Sequence, residues 1–96
     1  MNKRDEILEI ETLKWREKSY DQLAEMLPSV ACYEQEYKGS NYLFEIHMKI
    51  NEKSKELTVM VECCKKSIIG SLVGKSNYFV KGQNNIARAI NDDEAF

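Results

Sequence analysis

The sequence predicts an α+β fold: one or two N-terminal helices packed on an antiparallel meander sheet of three to four strands. Three observations carry that expectation. Residues 1 to 27 are rich in Glu, Lys, Leu and Arg and hold neither Gly nor Pro, a composition that favours helix. Between Tyr42 and Cys64, apolar and polar residues alternate with a period of two on both sides of a short polar connection, as in a hairpin with one dry face. The chain has 96 residues, one small domain with a modest core, so its helical and extended segments must cover each other. The domain is expected to span residues 1 to 90, with 91 to 96 a frayed acidic tail.

The helical region does not keep its apolar residues on one side. On a wheel of about 100° per residue, Ile7, Leu8, Ile10, Leu13 and Trp15 gather on one side, and Tyr20, Leu23, Ala24, Met26 and Leu27 lie nearly opposite. A break near Lys18 resolves the conflict, because Ser19-Tyr20-Asp21-Gln22 has the S-x-x-Q form of a capping box. The second helix, Tyr20 to Leu27, is then expected on the sheet, with Pro28 marking its end. The first segment is left with a broad apolar face, which either completes the core or is an interface.

Val30 to Tyr37 reads as the first strand, and Lys38-Gly39-Ser40-Asn41 as the turn after it. Setting Tyr37 opposite Tyr42 places Gln35 by Phe44, Tyr33 by Ile46 and Ala31 by Met48. In the next hairpin Ile50 faces Leu57, Met48 faces Val59, Ile46 faces Val61 and Phe44 faces Cys63. A slip of one residue would turn every apolar side chain to water, so the parity is strongly specified. Tyr78-Phe79-Val80 looks like a short fourth strand. Gln83-Asn84-Asn85 reads as the cap of a helical turn through Ile86, Ala87, Ala89 and Ile90.

With 43% hydrophobic and 31% charged residues, the composition is that of an ordinary globular chain. A net charge of -2 and a pI near 5.4 lack the electrostatic footprint of a nucleic-acid binder. A local strip of Lys65, Lys66, Lys75 and Lys81 is the one basic feature. No stretch approaches the roughly 18 apolar residues of a membrane span, and three cysteines, two of them adjacent, do not form a disulfide framework. The expected setting is the cytoplasm, with no membrane partner.

No motif supplies catalysis. Gly70-Ser71-Leu72-Val73-Gly74-Lys75-Ser76 is one residue short of a phosphate loop and runs into a strand-like segment. Cys63 and Cys64, being adjacent in a strand, point to opposite faces and cannot easily share one zinc ion. The expected registers set Cys32, His47 and Met60 side by side on the outer face, a poor ligand set. His47 has neither an orienting partner nor a nucleophile in sequence.

Neither an enzyme nor a bound cofactor is therefore expected. The expected function is a small intracellular protein-interaction module, an adaptor, inhibitor or regulatory subunit whose partner is another protein or a copy of itself. Two candidate surfaces follow: the apolar segment Ile7, Leu8, Ile10, Leu13 and Trp15, and an acidic row of Glu34, Glu45 and Glu62 across the outer sheet face. The alternative is a ligand-binding or enzymatic domain with a pocket lined by Tyr33, Tyr37, Tyr42 and His47. The last five residues, Asp92-Asp93-Glu94-Ala95-Phe96, resemble the acidic tip with a terminal Phe by which bacterial single-stranded-DNA-binding proteins recruit partners, without the Pro that precedes that Phe. The resemblance implies a basic pocket on another protein as the tail's contact.

Overall fold

The structure, a computed structural model, describes residues 3–27, 31–66 and 72–90. Two helices, α1 (Lys3–Glu17) and α2 (Tyr20–Glu25), precede five strands: β1 (Ala31–Tyr37), β2 (Ser40–Ile50), β3 (Leu57–Lys66), β4 (Leu72–Lys81) and β5 (Ala87–Ile90). The strands form one antiparallel sheet in the order β1-β2-β3-β4-β5. The expected α+β meander is present with one strand more than expected.

The helix break falls where the capping box placed it. Ser19 accepts from the Gln22 backbone amide at 3.1 Å, and the Gln22 side chain accepts from the Ser19 amide at 2.9 Å. α2 is shorter than expected, ending at Glu25, and Pro28 lies outside the described residues. Asp5 and Glu6 open α1 while Lys14 and Arg16 close it, each charge complementing the helix dipole.

The β2–β3 register is the expected one. The β1–β2 register differs by two residues: Tyr37 faces Ser40, Tyr33 faces Phe44 and Ala31 faces Ile46. The turn has two residues rather than four, because Lys38 and Gly39 both take positive φ, 49° and 83°, the geometry of a type I′ hairpin turn matched to strand twist. A shift of two preserves parity, so the inner and outer faces stay as read. The Ala87–Ile90 segment is a strand rather than a helical turn. Gly82 donates to the Ile86 carbonyl at 3.0 Å and Asn85 turns at a φ of 66°, closing a hairpin that sets Ala89 on Phe79 and Ala87 on Lys81.

Both helices cover the same face. Ile7, Leu8 and Trp15 of α1 and Tyr20 and Leu23 of α2 join Tyr42, Phe44, Ile46, Leu57, Val59, Val61, Cys63 and Phe79 in one buried cluster. α1, its apolar face expected either to complete the core or to be an interface, is the main cover of β3 and β4. α2 anchors one end of the sheet: the Tyr20 hydroxyl donates to the Lys55 carbonyl at 2.5 Å, and the Tyr20 amide donates to Asn85 Oδ1 at 2.7 Å. Among the described residues, no helix is long and apolar enough to cross a membrane.

Candidate functional site

α1 lies along the sheet, held on one flank by β1 and on the other by β4. On the β1 flank the Tyr37 hydroxyl donates to Glu6 at 2.8 Å and the Tyr33 hydroxyl to Glu11 at 2.7 Å. Trp15 Nε1 donates to the Tyr33 oxygen at 3.0 Å, and Lys14 reaches Glu11 at 2.9 Å. Glu11 is buried, and these donors take the place of water around its charge. The hydrogen bond from Tyr37, then that from Lys38, lowers the Glu6 carboxyl below its usual range. Burial first, with the Glu11 carboxylate adding to it against the opposing Trp15 hydrogen bond, pushes Tyr33 up to about 12. The expected tyrosine pocket is not assembled: Tyr42 is buried in the core, Tyr33 and Tyr37 hold α1, and His47 lies on the opposite face.

The β4 flank is looser. Lys75 pairs with Asp5 at 2.6 Å, Asn77 Nδ2 donates to Thr12 Oγ1 at 3.3 Å, and Lys81 Nζ donates to the Arg16 carbonyl at 2.6 Å. Between these ties lies a half-open cleft of about 460 Å³. Its helical wall is Glu9, Thr12, Leu13 and Arg16, and its other wall comes from Ser76 to Tyr78 and from Ala89 and Ile90. The helical residues recur at i, i+3, i+4 and i+7, one stripe of α1. A smaller cavity of about 190 Å³ adjoins it at Glu9 and Asn77. Arg16 Nη2 donates to the Ala87 carbonyl at 3.4 Å. The cleft therefore offers an apolar wall beside one acidic and one basic side chain, with no His or Cys lining it.

The proposed apolar surface is split by the fold. Ile7, Leu8 and Trp15 are core, 3%, 2% and 7% exposed, and are corrected from contact residues to packing residues. Ile10 and Leu13 stay outside at 39% and 55%. The five residues span an arc of the helix wider than one sheet can cover. Glu11 falls within the arc the sheet does cover, a signal that a wheel shows and that sequence reasoning passed over.

The outer face carries the acidic residues in a different arrangement. Glu45 and Glu62 are direct cross-strand partners, but Glu34 faces Leu43, and Cys32 takes the place beside Glu45. The two-residue turn moved β1, so the row is a pair, and Glu34 is corrected out of it. Glu62 accepts from Ser76 at 3.5 Å and from the Cys64 thiol at 3.7 Å, and Glu45 lies 3.4 Å from His47. Burial pushes Cys63 up to about 11, and burial with Glu62 raises Cys64. Cys63 faces the core and Cys64 the outer side. His47 and Met60 are neighbours as expected, but Cys32 is not among them. Among the described residues, no three His, Cys, Asp or Glu side chains stand close enough to hold a metal ion.

Of the basic strip, Lys75 is spent on Asp5 and Lys81 is buried against the end of α1; the side chains of Lys65 and Lys66 lie outside the described residues. So do Gly70 and Ser71 of the glycine-bearing stretch, whose remainder is part of β4, and the acidic tail 91 to 96. No protein-family model, curated protein or solved structure matches the chain.

Proposed function

We propose that this chain is a small, non-catalytic protein-interaction module that binds through the exposed flank of α1 and the cleft beside it. The observation that carries the reading is the position of Leu13: it is 55% exposed, forms one wall of the cleft, and has Ile10 one turn away. An apolar side chain in solvent at the rim of a concave surface is the usual seat of an anchor residue from a partner. Glu9 and Arg16 flank that seat. The partner's anchor is accordingly an apolar residue bordered by opposite charges, which orient the encounter more than they strengthen it. Three free thiols suit a reducing compartment.

A photo-reactive amino acid in place of Leu13 tests the reading. One discrete protein adduct is expected, lost when Ile10→Asp is added and absent when the probe replaces Lys53 in the exposed β2–β3 loop. Equal labelling from both positions, or none from position 13, would sink it.

One observation favours a second reading. The cleft volume of about 460 Å³ falls within the range of small-molecule pockets, and Thr12, Asn77 and Arg16 bring polar groups to it. A metabolite panel read by thermal shift separates the two. Stabilisation by one ligand class, abolished by Leu13→Asp, makes the cleft a ligand site instead.

A further inference from the structure

Among the described residues neither helix covers the outer side of the sheet, a second surface that meets the rim of the cleft at Ser76, Tyr78 and Ile90. Both helices pack on the inner face. On the outer face the cross-strand registers lay the side chains out in rows perpendicular to the strands. One row is Glu45-Glu62-Ser76, the next His47-Met60-Tyr78-Ile90, and the third Lys49-Thr58-Val80-Arg88. The face is therefore graded along the strand direction: acidic at one side, uncharged or weakly charged in the middle, basic at the other. Arg88 lies 3.8 Å from Glu56 of its own chain, and Met60 and Tyr78 in the middle row are half-buried.

We propose that a second copy of this chain docks on this face, related by a two-fold axis that runs along the row His47-Met60-Tyr78. That operation reverses the strand direction and keeps the strand order, so Glu45 of each copy lies over Lys49 of the other and Glu62 over Thr58. The gradient is self-complementary under this axis, as an isologous interface requires. The other in-plane axis, along β3, stacks Glu62 on its own equivalent and leaves Glu45 facing Ser76, a like-charge contact with no compensating pair. Charge therefore selects one arrangement and rejects the other. The contact is sheet on sheet, with the two layers roughly 10 Å apart.

The footprint bounds the strength. Four strands at about 4.8 Å and three rows at about 6.8 Å cover roughly 400 Å² per copy, so about 800 Å² in total, below the roughly 1,000 Å² of a stable interface and in the range of weak, transient contacts. The dimer is weak and concentration-dependent.

Sedimentation of the full chain across a concentration series tests this. The expected result is a shift from 11.2 kDa towards twice that mass. Glu45→Lys and Lys49→Glu each place like charges together twice per dimer and raise the dissociation constant about tenfold or more. The double variant Glu45→Lys/Lys49→Glu restores dimerisation, and an equimolar mixture of the two single variants forms a heterodimer. Circular dichroism confirms that each variant is folded. A wild type that stays at 11.2 kDa at the highest concentration overturns the proposal. So does a dimer indifferent to both swaps, or one lost with Leu13→Asp, which would move self-association to the α1 cleft.

Discussion

Tyr33 ties α1 to β1 and to the core. It stacks on Phe44 at 5.5 Å and on Trp15 at 6.5 Å while its hydroxyl bridges Trp15 and Glu11. Its folded-state pKa of about 12 against an ordinary 10 means that the folded chain holds this proton more tightly than the unfolded one. The associated stability is complete below pH 10 and is lost as the pH rises towards 12. Ultraviolet titration of the phenolates is expected to lose its latest tyrosine in Tyr33→Phe, while Tyr37, raised by its hydrogen bond to Glu6, still titrates above the ordinary range. That variant also costs about 1–3 kcal/mol, because Glu11 loses a donor inside the core. The thiols are graded in the same way. Cys63 and Cys64 are buried with raised pKa values while Cys32 is exposed, so a maleimide in native buffer is expected to label one thiol quickly. Cys32→Ser removes that fast phase; two fast thiols in the wild type would contradict the burial.

Among the elements, α2 shows how much a short helix depends on its ends. Six residues are too few to be stable alone, and Leu23 supplies its one fully buried side chain. The reciprocal cap at Ser19 and Gln22 and the two Tyr20 contacts hold it against the hairpin ends. Ser19→Ala is expected to lower stability by about 1 kcal/mol, read by chemical denaturation, and to increase hydrogen exchange at the α2 amides before those of β3. The capping box was legible because it is a local pattern of four residues. The β1–β2 turn was not, because Lys38 carries no mark of the positive φ it adopts next to Gly39. That one missed turn displaced Glu34 from the acidic pair.

For the whole molecule, the deciding event is α1 settling across β3 and β4. It converts Ile7, Leu8 and Trp15 into core and leaves Ile10 and Leu13 outside. Leu8→Ala is expected to cost about 2–5 kcal/mol through the cavity it leaves, whereas Leu13→Ala stays within about 0.5 kcal/mol because its site is solvated. Equal losses in thermal or urea unfolding would mean that the helix is rotated from the position described. The same event opens the cleft, since the stripe from Glu9 to Arg16 faces β4 and β5 only when α1 lies in this place.

The amino-acid sequence by itself determined what depends on neighbours along the chain: the helix break at Ser19, the two-residue period of β2 and β3, and hence which side of the sheet is dry. These follow from capping and from strand geometry, which act over a few residues. The number of strands, the partner of Glu34, the burial of Glu11 and the cleft beside Leu13 were decided by tertiary structure. Each depends on which surface an element meets across the core. Turn dihedrals and helix rotation set that meeting, and the packing that favours one rotation over another exists only once the elements are together.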